Sequence, residues 1–255
     1  MRGSSSALIG YTGFVGSSIL SQQSFDYLYN SKNIEDIQSK HFDLVVCAGA
    51  PGTKWLANKE PETDLATIQR LINNLSTITA RKLVLLSTID VYSEVNGVNE
   101  DSPILTETLY TYGKHRRMLE EFVINHFNSL IVRLPGLFGE GLKKNLIYDL
   151  LNSSDHDNIN PEHILQFYSL DHLSHDINRA LEHNLKSINI ATEPTSIGEI
   201  AHEIFNITLQ KKNGVPVRYN MQTKYASLWG HDGKYLYTKS EVFSDLRTFV
   251  NTKKQ

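Results

Sequence analysis

Three glycines stand where a short apolar run gives way to a helical pattern, in Ala7-Leu8-Ile9-Gly10-Tyr11-Thr12-Gly13-Phe14-Val15-Gly16. At such a junction Gly10 permits a tight turn and Gly13 lets the main chain approach a pyrophosphate. Gly16 lets the helix pack closely on the strand. The exposed N–H groups at the positive end of the helix then hold the phosphate oxygens. Gly10, Thr12, Gly13, Phe14, Val15 and Gly16 are therefore expected to line a dinucleotide site. Three spaced glycines carry little alone; their place just after an N-terminal apolar strand gives them meaning.

Other chemistry-bearing residues sit at later strand ends. In NAD-specific folds of this kind an acidic residue after the second strand bonds the ribose 2′-OH. Here Tyr27-Leu28-Tyr29 runs into Asn30, Ser31 and Lys32, without a carboxylate. Lys32 suits a 2′-phosphate, which leans the expectation towards NADP over NAD. Asp36-Ile37 is expected near the adenine. Cys47-Ala48-Gly49 ends the next strand and is expected to line the cofactor groove. Lys54 and Trp55 follow that strand and suit a lid. Among ten histidines, His172 and His175 stand three apart, but no third ligand has a recognisable spacing, so no metal is expected. Cys47, the only cysteine, reads as a small core residue.

The elements that must position these residues are short apolar runs alternating with helical stretches. Strands are expected at 6–11, 27–29, 44–48, 83–87 and 130–134. A helix opens at Gly16 to Gln22, and another runs through Leu119, Phe122, Val123 and His126. The strands are continuous in Val, Leu and Ile rather than alternating, as in a sheet buried on both faces, and helical crossovers make such a sheet parallel. The pattern predicts an α/β, Rossmann-like, doubly wound parallel sheet with a small interwoven C-terminal lobe. The expected dinucleotide-binding domain spans residues 1–139, with 164–191 returning to its sheet. Residues 140–163 and 192–255 form the expected substrate lobe. Later strands are expected at 164–168 and 188–191, and helices at 197–205 and 241–250.

Composition bounds the partners. The 255 residues are 40% hydrophobic and 21% charged, with a formal net charge of -3, which fits an ordinary globular chain and excludes a disordered one. There is no basic field to gather nucleic acid. No apolar stretch approaches the roughly 20 residues that cross a bilayer, and Met1 to Ser6 lacks a signal-peptide core. With one cysteine, a reducing, cytoplasmic setting is expected.

Several segments, taken in order, resemble the extended short-chain dehydrogenase/reductase superfamily, in particular its NAD-dependent epimerase/dehydratase group acting on nucleotide-sugars. The G-x-x-G-x-x-G turn is the first. Leu85 to Tyr92 resembles the strand-end motif S-S-x-x-V-Y. Tyr112-Gly113-Lys114-His115-Arg116 with Glu120 resembles Y-G-x-S-K-x-x-x-E. Arg133-Leu134-Pro135-Gly136-Leu137-Phe138-Gly139 resembles R-x-x-N-V-Y-G. Phe167 to Leu181 and Asn189 to Ile204 resemble the later strand–helix pieces. The likeness covers about residues 6 to 205.

The resemblance implies hydride exchange between a sugar carbon and a nicotinamide, with Thr88 holding the substrate oxygen and a tyrosine moving its proton. A tyrosine pKa near 10 makes a poor base at neutral pH, so a cation at i+4 on the same helix face must lower it. Tyr110 with Lys114 satisfies Y-x-x-x-K. Tyr112 agrees with Gly113, Glu120 and the 24-residue gap from Thr88, but then Arg116 stands in the lysine position. The two tyrosines project about 200° apart on a helix and cannot both serve. Tyr112 is favoured, with Arg116 bonding the ribose hydroxyls. An Arg fork is not equivalent to an ammonium, so the alternative is a weakened or inactive dinucleotide-binding sensor or scaffold of the same fold. For a nucleotide-sugar substrate, Lys143, Lys144 and Asn145 are the expected diphosphate ligands. Gly136 removes the Asn that the family motif carries. Reduction or epimerisation is favoured over dehydration, because Ile89-Asp90-Val91 lacks the acidic pair of dehydratases. Relatives pair through the tyrosine helix, so a homodimer is a further expectation.

Overall fold

The computed structural model describes residues 5–152 and 156–253. The expectations on Met1 to Ser4, and on 153–155 within the polar stretch after Asn152, lie outside the described residues. In chain order the first elements are β1 (Ser6–Ile9), α1 (Phe14–Gln22), β2 (Tyr27–Tyr29), β3 (His41–Cys47), α2 (Lys54–Lys59), α3 (Pro61–Leu75), β4 (Thr79–Thr88), α4 (Thr111–His126) and β5 (Ser129–Leu134). Then come β6 (Gly136–Phe138), α5 (Leu146–Asn152), β7 (Ile164–Leu165), β8 (Phe167–Ser169), α6 (Leu173–Glu182), β9 (Ser187–Asn189), β10 (Thr195–Ser196), α7 (Ile197–Phe205) and α8 (Lys239–Lys253).

Six strands make one parallel sheet in the order β2-β1-β3-β4-β5-β9. Both of its faces are covered, which is why the strands read as unbroken apolar runs. Ala7, Ile9, Val45, Cys47, Leu83 and Leu85 point to one side, into a core shared with Ile68, Leu71 and Leu75 of α3 and Leu119 and Val123 of α4. Leu8, Val46 and Val84 alternate with them and are equally buried. Each fully buried Val, Leu or Ile contributes about 1.5–3 kcal/mol. Helix α3 starts cleanly because Pro61 occupies its first turn, with Glu62 and Asp64 at the positive end of its dipole.

The strand order reverses between β1 and β3, and ligand crevices in such sheets open at that point, beyond the carboxyl ends of the strands. Register brings the three relevant ends level, Ile9 pairing with Tyr29 on one side and Cys47 on the other. Gly10, Asn30 and Ala48 therefore follow one edge.

The chain divides into two compact units. The first is Met1–Ser93, Pro103–Arg133 and Asp171–Ile188; the second is Glu94–Ser102, Leu134–Leu170 and Asn189–Gln255. In the second, β6 pairs with β8 in parallel and β7 with β10 antiparallel. Phe138, Ile147, Phe167, Ile197, Ile200, Leu246 and Phe249 form its core. Helix α7 is capped by Ser196, whose hydroxyl accepts from the Glu199 amide, and ends at Asn206 in the left-handed region.

Two expectations are corrected here. The strand at 164–168 is broken at Gln166, whose buried amide bonds the carbonyls of Thr192 and Met221 and accepts from the Met221 N–H. Its two halves thus pair with different neighbours, and of 164–191 only β9 returns to the large sheet. Residues 94–102 go with the second unit, because the Glu100 carboxylate accepts from the Asn189 amide, the Thr223 hydroxyl and the Lys224 amide.

Candidate active site

The glycine corner has the geometry its sequence implies. Gly10 has φ +86°, and a Cβ there would sit 2.4 Å from the Ala48 carbonyl oxygen. A Cβ on Gly16 would sit 2.1 Å from the Gly10 oxygen. The Gly10 amide donates to the Tyr29 carbonyl at 2.7 Å, tying β1's exit to β2. Helix α1 begins after Gly13 with no side-chain cap and no acidic residue in its first turn. Its first amides therefore face an exposed edge with no carboxylate competing for them, which suits a pyrophosphate.

After β2, Asn30 and Asn33 build a side-chain-stabilised turn. Asn30 Oδ1 accepts from the Lys32 amide and Asn33 Oδ1 from the Asn30 amide. Ser31 and Lys32 are exposed on its tip. The Ser31 carbonyl accepts from Arg70 of α3 at 3.0 Å, and Arg70 is paired with Glu35. Arg70, absent from the sequence expectation, is thus a second cation beside Lys32. Ile37 lies in the core rather than beside a ligand, while Asp36 is exposed. Cys47 is fully buried, and burial pushes its thiol up to about 11. Only the half-exposed Ala48 and Gly49 of that trio present surface.

Thr88 closes β4, and it is among the groups that draw the Tyr112 phenol down. The helix carrying Tyr112 is anchored at several points. Gly113 lies so close to the Asp90 carbonyl that a Cβ would overlap it. Asn58 of α2 accepts from the Tyr112 amide at 3.0 Å. Deeper in, the buried Glu120 carboxylate accepts from Ser87 at 2.6 Å, from Arg117 and from both Nε and Nη2 of Arg133. Arg133 also donates to the Tyr92 hydroxyl at 2.7 Å. Burial alone would lower the Arg133 pKa, but the Glu120 charge outweighs it and holds the guanidinium more firmly protonated. Motif residues Glu120 and Arg133 thus serve to seat α4 on β4 and β5.

Tyr112 and Thr88 come together; Tyr110 and Lys114 do not join them. Tyr110 is 81% exposed and Lys114 is also on the surface. Arg116 departs from expectation. It is 3% exposed, and its two terminal nitrogens are spent on protein acceptors: both oxygens of Asp64, the Pro51 carbonyl and the Tyr112 carbonyl. Its guanidinium lies 4.0 Å from the centre of the Tyr112 ring. It is an internal strut and not the ribose ligand that the sequence implied, because Asp64, 52 positions away, supplies a buried bidentate partner. His115 Nδ1 donates to the same carboxylate at 2.7 Å. Burial raises the Asp64 carboxyl, but the bonds from Arg116 and His115 outweigh it and hold it below its ordinary value.

A different cation reaches this corner. Lys54, the first residue of α2, pairs with Asp90 at 2.5 Å. Asp90 in turn accepts from the Thr88 hydroxyl at 3.3 Å and donates its amide to the same oxygen at 3.2 Å. Burial pushes the Tyr112 phenol above its usual range and Asp90 adds to the rise, while Arg116, the Thr88 bond and Lys54 draw it back in part.

Lys143, Lys144 and Asn145 belong to the second unit. The two lysines are exposed. Asn145 is a helix cap: its Oδ1 accepts from the amides of Ile147 and Tyr148 and its Nδ2 donates to the Leu137 carbonyl. Its amide is therefore used locally, which corrects the ligand role expected of it.

No curated protein matches the chain by sequence. Among solved structures, it superposes on a dTDP-4-dehydrorhamnose reductase from Bacillus anthracis in complex with NADP, at 18% identity, with 99% of each chain covered and a TM-score of 0.75. A dTDP-4-dehydrorhamnose reductase from Clostridium acetobutylicum is similar at 14% identity, covering 98% of this chain and 100% of the other, with a TM-score of 0.73. A UDP-N-acetylglucosamine 4-epimerase from Methanobrevibacter ruminantium in complex with UDP-N-acetylmuramic acid is similar at 14% identity, with 100% of each chain covered and a TM-score of 0.73. These likenesses establish the fold. No helix among the described residues is long and apolar enough to cross a membrane. The model of the NAD dependent epimerase/dehydratase family matches residues 7–154, more than half of the sequence, and the chain belongs to that family.

Proposed function

We propose that the protein is an NAD(P)-dependent oxidoreductase or epimerase acting on a sugar nucleotide or a similar keto or hydroxy substrate. The close packing of Gly113, next to Tyr112, against the Asp90 backbone, two residues after Thr88 and within the unit that carries the glycine corner, is the observation that carries this reading. A nicotinamide dinucleotide supplies hydride exchange when bound. Gly10, Gly13 and Gly16 shape the turn that would receive its pyrophosphate, and Thr12, Phe14 and Val15 border it with their backbone. Asn30, Ser31 and Lys32, with Arg70 behind them, face its adenosine ribose and favour NADP. Ala48 and Gly49 border the groove.

In the reductive direction the Tyr112 hydroxyl gives its proton to the new substrate hydroxyl, and Thr88 orients the same oxygen. With its pKa raised by burial, the Tyr112 phenol holds its proton at neutral pH. Lys143 and Lys144 are the cations offered to a diphosphate. The reading is supported by the family and by the substrates of the structural neighbours, dTDP- and UDP-sugars. A second reading, a dinucleotide-binding sensor without turnover, draws on the commitment of Arg116 to Asp64.

Purified protein with NADPH or NADH and a panel of keto-sugar nucleotides decides between them by the loss of reduced-nicotinamide absorbance. Turnover abolished by Tyr112→Phe upholds the enzyme. Cofactor binding without turnover, indifferent to Tyr112→Phe, upholds the sensor. Failure to bind either dinucleotide refutes both.

A further inference from the structure

The tyrosine at this site needs nearby positive charge to become a usable base; the cation on its own helix, Arg116, lies against its ring but is already committed to a buried carboxylate. Arg116 gives hydrogen bonds to Asp64, Pro51 and Tyr112 backbone oxygen, and its charge is balanced by the buried Asp64 carboxylate. Left alone, the carboxylate of Asp90 would then face Thr88 and Tyr112 as an unbalanced negative charge. It is not left alone. Lys54 comes from another element and closes on it at 2.5 Å, with the lysine side chain half exposed and Asp90 largely covered. A chain of contacts runs Lys54–Asp90–Thr88, and Gly113, next to Tyr112, packs on the Asp90 backbone.

We propose that Lys54 is the positioning cation of the tyrosine site, standing on Asp90 and acting through it and Thr88 on the Tyr112 phenol in place of a helix lysine. This rests on the reading of Tyr112 as the proton-moving group. The physical content is a neutralisation. With Lys54 present, Asp90 holds Thr88 in position without opposing a developing phenolate; without it, the same carboxylate repels that phenolate. The groups facing the phenol are Arg116 on α4, Asp90 in the turn after β4, Thr88 at the end of β4 and Lys54 on α2. Asp64 on α3 and His115 stand behind Arg116.

The test reads the phenol directly. Protein carrying 13Cζ-labelled tyrosine is titrated by NMR, the Tyr112 signal being assigned by its absence in Tyr112→Phe. Lys54→Met is expected to shift the Tyr112 titration upward, Lys54→Arg to keep it near the parent, and Lys54→Met combined with Asp90→Asn to bring it back down. A Lys54→Met curve that coincides with the parent overturns the proposal. So does a double variant displaced as far as Lys54→Met, since Lys54 would then act independently of Asp90. In parallel, oxidation of UDP-glucose with NADP+ is followed against pH, and its rising limb is expected to move upward in Lys54→Met alone. A shifted phenol in a protein that turns over no probe upholds the role of Lys54 and refutes the catalytic reading, so the two failures are distinguishable.

Discussion

Replacing Gly113 by alanine sets two effects against each other. In an isolated helix interior the change is favourable by about 1 kcal/mol, since glycine pays more backbone entropy. In this protein the new Cβ would stand 1.9 Å from the Asp90 carbonyl oxygen and 2.9 Å from its carbon, both backbone atoms. Relief requires α4 and the 89–91 turn to part by about 1 Å. Helix α4 is not free to move that far, because Glu120 is bonded to Ser87 and Arg133, and Arg116 to Asp64 and Pro51. Overpacking of a rigid contact costs about 1–3 kcal/mol. Two rigid elements meet here, so the upper part of that range applies, and the net effect is a destabilisation of about 1–2 kcal/mol. Urea denaturation of Gly113→Ala is expected to show a lower midpoint with an unchanged slope. Any hydride-transfer rate is expected to fall further than stability alone requires, since parting α4 from the turn lengthens the Thr88–Tyr112 contact. A variant as stable as the parent, or more so, would refute the claim that the Gly113–Asp90 approach seats the helix.

Glu120→Gln removes the charge that balances Arg133 in a site where both side chains are at most 5% exposed, and should cost about 3–5 kcal/mol in denaturant titrations; a loss below about 1 kcal/mol would mean the pair is replaceable. Asp64 has a folded pKa below its unfolded one, so its contribution is complete above the ordinary carboxylate range and is lost as pH falls through the lowered folded value. The denaturation midpoint of Asp64→Asn should accordingly lie below the parent at neutral pH and converge with it on acidification. Parallel curves at all pH values would contradict that origin. Lys32→Glu places a carboxylate in the turn after β2 and should weaken NADPH relative to NADH by roughly fivefold in fluorescence titrations. An unchanged ratio would remove Lys32 from the cofactor site.

Most of the large sheet was legible because its strands carry their own signal. Leu44 to Cys47 and Leu83 to Leu86 are apolar on both faces, as are the shorter runs Ala7 to Ile9 and Leu130 to Val132. The glycine corner was legible for the same reason: turn, approach and packing are demands made within seven residues. Tyr112 was singled out through Gly113 and Glu120, and of the two tyrosines it is the one that the fold buries. The fate of Arg116 was not, since Asp64 and Pro51 lie 52 and 65 positions away and nothing local marks either as a partner. Lys54 could be seen as a residue beyond a strand end, but its pairing with Asp90 depends on two turns meeting across 36 positions. The break at Gln166 was hidden because Ile164 to Tyr168 has the composition of one strand; only the carbonyls of Thr192 and Met221, waiting for an amide, divide it. Asn145 looked like a ligand because its neighbours are lysines, whereas its φ of +125° and its two amide partners mark a cap.

The socket around Arg116 makes the route back to a lysine a two-key lock. Lysine at that position would bring a single ammonium to a place cut for a planar fork, and could not serve both oxygens of Asp64 and the Pro51 carbonyl together. A single ammonium there would give up one of these acceptors, and the strand-exit loop that the Pro51 bond pins would lose a mooring. A graft that aims to arm the helix with lysine must change Asp64 together with Arg116, or it trades one defect for another.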